Sequence, residues 1–594
     1  MPAKLALLAL VLACGAASSA PETTPINTSA PRIEWRSFSQ EVFEAARREG
    51  KLVLLDVGIE GCTACRWMLE GTYSDPEVAR RVHADFISVT VDANANPELG
   101  ARYIRWAWPA TIVLTPDGEQ LLAIRGNKRP RNFLPLLDEA LRRAGSPEHE
   151  DAAAAEAMGT WECAELLRAA SSREAPHGGW LRGNMLMTAG RLVDATLGIP
   201  ERRDHALRTA EQYAELLDSE WGGLYMALRD GQPIYEKRMP QQAHGLLAFA
   251  HAYALTGDVT WLQHAASIDR YVERFLSDGS GGFYAAQRDV PTTGNQTAES
   301  YFAENDDERV AAGTPLVDRG IYSAVHAQGV EAYAELARLS GARNYAERAL
   351  SAGQVLLAEV RDGRVAQLAN TPHDEGRLRR QVDVPDYIVL ETQARAGLAL
   401  VALFDLTQDA TFLQKAREIA ERTRSELAAT VGGFYSAPPV TMLPQERRAL
   451  DNALFARLLF GLADRTHEHS FIEAAEDALR TALSLAGRRP HPGLLAQLLL
   501  ADSARRGGII DVSIAAGDMG SPAALALLEA AQSAYSHDRR AHFDRLERYP
   551  RRERAGAYVC TRSACSPPLF DAAAIRAAVQ READAAQCAT AAAP

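Results

Sequence analysis

Three times the chain closes a helical stretch with a short polar junction and reopens on an aromatic residue. The junctions are Leu255-Thr-Gly-Asp-Val-Thr-Trp261, Leu339-Ser-Gly-Ala-Arg-Asn-Tyr345 and Leu406-Thr-Gln-Asp-Ala-Thr-Phe412, with a weaker copy ending at Phe471. A second connection alternates with the first: Gly222-Gly-Leu-Tyr225, Gly281-Gly-Phe-Tyr284 and Gly432-Gly-Phe-Tyr435. One helix pair cannot bury its own apolar face, so repeated pairs must stack. Pairs joined alternately by a short and an ornamented connection fit an (α/α) toroid. Residues 155–550 are expected to form it.

The first part of the chain has a different period. Residues 37–49 place Phe38, Val42, Phe43 and Ala46 on one helical face. Continuous apolar runs bounded by charge, from Lys51 and again from Phe86 to Asp92, read as buried strands. Thr111–Thr115, a Pro-Asp-Gly turn and Gln120–Ile124 add two more strands, and Phe133–Arg143 a final helix. Residues 32–145 therefore read as an α/β domain of thioredoxin-like order. Cys62-Thr63-Ala64-Cys65 falls at its first strand–helix junction. A cysteine at a helix N-terminus meets free N–H groups and the positive end of the dipole, which favour thiolate. A second cysteine one turn later can attack a mixed disulfide. Asp56 stands at the spacing of the buried acid in thioredoxins. Pro109, directly before a strand, stands where that fold carries a cis-proline. Two other readings of the pair are a disulfide that never turns over and a zinc site. No second Cys-x-x-Cys or suitable histidine lies nearby in sequence to complete the latter.

The start of the chain reads as a targeting signal. Lys4 precedes an apolar stretch, Leu5–Leu12, and Val11-Leu12-Ala13-Cys14-Gly15 resembles a bacterial lipobox. Lipidation of Cys14 and plain secretory cleavage near Ala17 or Ala20 both export the chain. Residues 1–17 are thus the signal and 18–31 a Pro-rich tether. The expected location is the cell envelope or periplasm, with membrane attachment only through lipid at Cys14. Export makes disulfides accessible to the remaining cysteines. Cys560 with Cys565 is the close pair, and Cys163 with Cys588 is the remainder. The net charge of -13, without a basic cluster, excludes nucleic acid as a partner. No cofactor or metal is implied.

Five stretches resemble one family. They are Ile33-Glu-Trp35 through Cys62–Cys65 to Trp108–Asp117, Tyr235-Glu-Lys-Arg-Met239 with Gln242-Ala243, Gly281–Asp289, Val317-Asp-Arg-Gly-Ile-Tyr322, and Ala557–Pro568. Together they are similar to the thioredoxin-domain proteins related to mammalian spermatogenesis-associated protein 20, the DUF255 family. The Gly-Gly-aromatic loops resemble those of six-hairpin glycosidase-like barrels. The resemblance implies a multidomain chain: a thioredoxin-like domain, an (α/α)6 toroid of the six-hairpin glycosidase-like kind, and a tail at 551–594. It does not imply a settled activity. Several positions depart from the family pattern, among them Thr63-Ala64, Val325-His326, Gln241-Gln242 and Arg288-Asp289. If the family's barrel is catalytic, these departures change or remove that chemistry.

Two functions follow as expectations. The first is thiol–disulfide exchange with a protein substrate or redox partner through Cys62 and Cys65, assisted by Asp56 and Pro109. The second is carbohydrate binding or turnover at the barrel mouth, where loops converge. The mouth candidates are Asp289, Asp318, His326, Gln242, His244, Asp386 and Asn452. Asp289 with Asp318, or Asp386 with Asp451, could supply the carboxylate pair that glycoside hydrolysis needs. His244 and His326 could supply an acid and a base for epimerisation. Each Asp also fits a helix N-cap and each His an ordinary helix-face residue.

Overall fold

The computed structural model describes residues 32–586, apart from 61, 104–107, 146–160, 183–184, 188–190, 292–295, 371–385, 440–442 and 551–553. Cys14 and Cys588 lie outside the described residues.

The N-terminal domain is a four-stranded sheet between two helical layers. Its elements are α1 (Gln40–Glu49), β1 (Leu52–Gly58), α2 (Thr63–Trp67), α3 (Pro76–Asp85), β2 (Phe86–Asp92), α4 (Pro97–Tyr103), β3 (Ala110–Leu114), β4 (Gln120–Arg125) and α5 (Pro130–Ala144). The strand order is β2-β1-β3-β4, with β1 parallel to β2 and antiparallel to β3. Because side chains alternate along a strand, Val53, Leu55 and Val57 face α1 and α4, while Leu52 and Leu54 face α3 and α5. Both faces are covered, which explains why β1 and β2 are apolar almost without interruption.

The toroid is built from α6 (Cys163–Ser171), α7 (Leu192–Leu197), α8 (Arg203–Glu215), α9 (Met239–Thr256), α10 (Thr260–Phe275), two short helices α11 (Ala298–Phe302) and α12 (Asp306–Ala312), α13 (Ser323–Ser340), α14 (Arg343–Ala358), α15 (Leu390–Thr407), α16 (Ala410–Leu427), α17 (Ala449–Thr466), α18 (His469–Leu485) and α19 (Pro492–Arg506). Helices α7, α9, α13, α15, α17 and α19 pack in that order, and α19 returns to α7, closing an inner ring. Helices α8, α10, α14, α16 and α18 each back their predecessor, and α6 backs α19. Ring closure establishes the (α/α)6 toroid. The polar junctions read from the sequence are the tight turns between inner and outer helices. All four end an inner helix on a left-handed residue, at Gly257, Gly341, Gln408 and His467. The Gly-Gly connections lead back to the N-terminal ends of the next inner helices and form one mouth.

The chain departs from expectation at its C-terminal end. The toroid stops at Arg506, not near 550, and what reads as a tail belongs to a third α/β module. Strand Ile510–Ala515 runs parallel to Arg539–Phe543 and antiparallel to Gly556–Cys560. Helices α20 (Pro522–Ser533) and α21 (Ala572–Ala585) pack together against these strands through Leu527, Ala530, Ile575 and Val579. This module covers the C-terminal ends of the inner helices. The thioredoxin-like domain covers the N-terminal ends. Among the described residues, no helix is long and apolar enough to cross a membrane.

Candidate functional site

The fold places Cys62 as the N-cap of α2. Its sulfur accepts the backbone N–H of Cys65 at 3.2 Å, and the two cysteines form a disulfide with a Cα–Cα distance of 5.3 Å. The helix continues from Trp67 as a π-helical turn, Met68–Thr72. The Trp108–Pro109 peptide bond is cis. Trp108 packs into the apolar cluster that holds both cysteines with Val57, Ile59 and Tyr103. Asp56 is buried in the middle of the sheet, and its Oδ1 accepts the Tyr73 hydroxyl at 3.4 Å. Tyr73 also bonds the Thr111 hydroxyl at 2.8 Å.

The cysteine pair does not face solvent: Cys62 is 4% exposed and Cys65 2%. It faces a small three-stranded sheet at the toroid mouth. In that sheet Ala286–Gln287 is central, paired with Lys237–Arg238 on one side and Val317–Asp318 on the other. Three motif stretches that are far apart in sequence are therefore one surface. Each lends a side chain to the junction or to its support. Glu236 accepts the Thr63 N–H at 2.8 Å, satisfying an open donor of α2. Arg288, buried, forms an ion pair with Glu60 and donates to the Glu60 carbonyl at 3.3 Å. Behind the sheet, buried Lys237 donates to Asp218 Oδ2 and to the Gly222 carbonyl, both at 2.7 Å, under the Tyr271 ring. Farther round the mouth, Arg102 bridges Glu446 at 2.8 Å and donates to the Pro444 carbonyl at 2.9 Å. Leu443 enters the cysteine cluster. None of Glu60, Glu236 or Arg288 stands out in the sequence as functional, because their partners are more than 170 residues away.

Two of the mouth candidates sit at this junction. Burial, then the charge of Asp92, pushes the Asp318 carboxyl up to about 8. Its Oδ1 accepts the Gly320 N–H at 3.0 Å and the Tyr322 hydroxyl at 3.3 Å. Burial also raises Asp289, against the pull of the Thr63 hydroxyl and Arg66. These two carboxyls lie under the thioredoxin-like domain rather than across an open mouth.

The other candidates are not brought together, and three prove to be structural. Gln242, His326 and Asn452 each occupy the fourth position of an inner helix, as does Gln393. Gln242 Oε1 accepts the Leu224 N–H at 2.6 Å, and its Nε2 donates to the Leu224 carbonyl at 2.9 Å. Asn452 clamps Phe434 in the same way, with both bonds at 2.9 Å, and Gln393 clamps Val365 at 2.8 and 2.9 Å. His326 Nδ1 accepts the Phe283 N–H at 3.2 Å, and its Nε2 donates to the Ala352 carbonyl at 2.9 Å. Burial holds this imidazole neutral, near 4. Gln242, His326 and Asn452 thus pin the Gly-Gly loops to the ring, and Gln393 pins the hairpin at Val365. His244 is held near 4 by burial and then by Arg395 and Arg191. Asp386 is exposed and reaches Arg364 at 3.4 Å, whereas Asp451 is buried against Arg448 at 2.7 Å, so they do not form an opposed pair. In the C-terminal module, Cys560 and Cys565 form a disulfide beside the Tyr549 hydroxyl.

Fold and site define a class: a thioredoxin-like domain with a Cys-x-x-Cys pair, mounted on an (α/α)6 toroid. Residues 26–140 match the family described as "Protein of unknown function, DUF255". This match covers the first of the five motif stretches. Human spermatogenesis-associated protein 20 is 26% identical over 308 residues, covering 43% of this chain and 38% of the human protein. The mouse protein is 24% identical over 306 residues, with the same coverage. The match thus spans about two fifths of these relatives' length. Among solved structures, a cellobiose 2-epimerase from Bacillus thermoamylovorans B4167 is 14% identical with a TM-score of 0.43, covering 57% of this chain and 98% of the epimerase. A glycoside hydrolase family 76 mannosidase from Bacteroides thetaiotaomicron is 13% identical with a TM-score of 0.41, covering 58% and 97%.

Proposed function

We propose that the chain is a thiol–disulfide oxidoreductase of the cell envelope, working through Cys62 and Cys65. The observation that carries this reading is the Cys62 sulfur capping α2 while accepting the Cys65 N–H. That arrangement stabilises negative charge on sulfur. In the reducing direction the Cys62 thiolate attacks a partner disulfide. An S–S bond forms between Cys62 and one partner sulfur, and the other partner sulfur leaves as thiolate. The Cys65 thiolate then attacks the Cys62 sulfur, the second partner thiolate leaves, and the Cys62–Cys65 bond closes. Two electrons have passed from the chain to its partner, and oxidation of a partner is the same sequence reversed. The cis-Pro109 edge and Trp108 shape the apolar surface beside the pair. A bulky partner reaches Cys62 only when the junction with the toroid opens.

Export and lipid attachment at Cys14 belong to the same proposal. Fatty-acid incorporation that disappears in Cys14→Ser tests them. The carbohydrate reading lacks a comparable observation. Gln242, His326 and Asn452 are loop clamps, Asp386 is an ion-paired surface group, Asp289 and Asp318 are junction carboxyls, and burial lowers the pKa of His244.

Insulin reduction and refolding of scrambled ribonuclease, each run with the full chain and with Cys62→Ala, test the exchange reaction. Activity that drops to background in the variant is the expected result. Equal rates would overturn the proposal. So would a Cys62–Cys65 potential below about −300 mV, the range of disulfides that do not turn over.

A further inference from the structure

The opposite end of the toroid holds a histidine–carboxylate cluster outside the redox site. Asp194 comes from α7, His251 from α9, and His537 from the segment entering strand Arg539–Phe543 of the C-terminal module. One donor atom from each residue lies within 4.8 Å of the other two. Asp194 and His251 are fully buried. His537 Nε2 stands 3.4 Å from Asp194 Oδ2, and the two imidazoles stack at 4.8 Å.

The second nitrogen of each ring is already held from outside. The Asp538 carboxylate meets His537 Nδ1 at 3.1 Å, and the Tyr535 hydroxyl meets His251 Nδ1 at 3.3 Å. Ligating histidines are oriented in this manner, one nitrogen fixed by an outer partner and the other left for the metal. One buried atom in the cluster, Asp194 Oδ1, lacks a hydrogen-bond partner among the described residues. Unpaired buried polar atoms are costly, so a native protein keeps them for a reason. Glu335 Oε1, 3.4 Å from His251 Nε2, is a further oxygen within reach. Arg191 contacts Asp194 at 3.0 Å but also pairs with Glu331, so it retains a partner when Asp194 turns to a cation. A cavity of about 90 Å³, lined in part by His537, Glu335 and Arg191, adjoins the cluster and can hold water.

We propose that Asp194, His251 and His537 bind a divalent transition-metal ion, of the kind that accepts two imidazoles and a carboxylate, such as Zn²⁺. Two ligands come from the toroid and one from the C-terminal module, so the ion ties the module to the ring. The three positions are 57 and 286 residues apart, which hides them from a search for local ligand spacing.

The test uses the full chain carrying Cys62→Ser and Cys65→Ser, stripped with chelator and titrated with Zn²⁺ against a chromophoric competitor. One ion per chain is expected, with a rise in unfolding temperature. His537→Gln and Asp194→Asn are each expected to weaken binding by about tenfold or more and to remove the thermal shift. Binding that is absent from the parent, or unchanged in both variants, overturns the proposal. Should a variant fail to fold, X-ray absorption of the Zn²⁺-loaded parent decides. Nitrogen and oxygen scatterers with an imidazole signature support the site, and sulfur scatterers or no imidazole signature overturn it.

Discussion

The two ends of the toroid are closed by modules that share a central strand between one parallel and one antiparallel neighbour but are held in different ways. At the mouth, β1 lies between parallel β2 and antiparallel β3. At the far end, Ile510–Ala515 lies between a parallel and an antiparallel strand in the same arrangement. The far end is joined by ionised groups that satisfy one another. Asp405 takes Arg465 at 2.8 Å and Arg540 at 2.6 Å, and Asp464 takes Arg562 at 2.7 Å and the Ile509 N–H at 3.0 Å. Burial works against ionisation of Asp405, yet Arg465 and Arg540 hold its carboxyl below the ordinary range. The mouth instead combines buried pairs such as Glu60–Arg288 with a carboxyl that burial and Asp92 push up to about 8. The Asp405 set keeps its charge across the physiological range, whereas the mouth, which hides the cysteines, carries in Asp318 a carboxyl that burial keeps protonated to higher pH.

The largest effect separating the ends is expected from Asp405→Ala. It leaves Arg465 and Arg540 buried together without their shared anion, and breaking such a set costs about 3–5 kcal/mol. A urea midpoint that barely moves would show that the far end is not locked by charge. At the mouth, Arg288→Met removes the guanidinium that pairs with buried Glu60. Loss of about 3 kcal/mol from the junction raises its open population roughly a hundredfold. Alkylation of reduced Cys62 is expected to accelerate accordingly, with the far end unaffected. An unchanged alkylation rate would mean that the junction does not control access.

Protonation sharpens the contrast further. Asp318 binds its proton more tightly folded than unfolded. Between about pH 4 and 8 the native chain therefore holds a proton that the unfolded chain has released, and stability falls as pH rises through that window. Melting temperature is expected to drop by several degrees from pH 5 to pH 8.5, and Asp318→Asn is expected to flatten this slope. Asp405, whose shift is downward, contributes in the opposite sense and loses its part only in acid below the ordinary carboxylate range. A slope unaltered in Asp318→Asn would remove the protonation-dependent mouth.

Sequence patterning carried the two large units because their signals are local. Buried strands such as Phe86–Asp92 are apolar throughout, and the helix-pair junctions repeat at Gly257, Gly341 and Gln408. The third module escaped because its strand Arg539–Phe543 is largely polar and its strand Ile510–Ala515 follows directly on the long helix α19. The junction escaped for a different reason. Thr63 and Glu236, or Glu60 and Arg288, meet only after two domains have folded and docked. The polar residues near the starts of the inner helices were visible but open to misreading. A polar side chain in an apolar helix fits catalysis and fits a backbone clamp equally well until its partner is known.

That ambiguity supplies the smallest expected effect. His326 meets Phe283 from the same helical position at which Gln242 meets Leu224 and Gln393 meets Val365. Glutamine carries an acceptor and a donor on one planar group, so it can take the Phe283 N–H as histidine Nδ1 does. What His326→Gln loses is reach to the Ala352 carbonyl, 2.9 Å from Nε2. The cost is about 1 kcal/mol, one net hydrogen bond. Exchange through Cys62 should be unchanged, because the clamp supports a loop and touches neither the cysteines nor Asp318. His326→Leu removes both bonds and leaves the buried Phe283 N–H and Ala352 carbonyl without these partners. A loss of about 2–3 kcal/mol is expected, again without a change in exchange rate. A glutamine variant that folds as well as the parent but stops exchanging disulfides would move His326 from the scaffold into the chemistry.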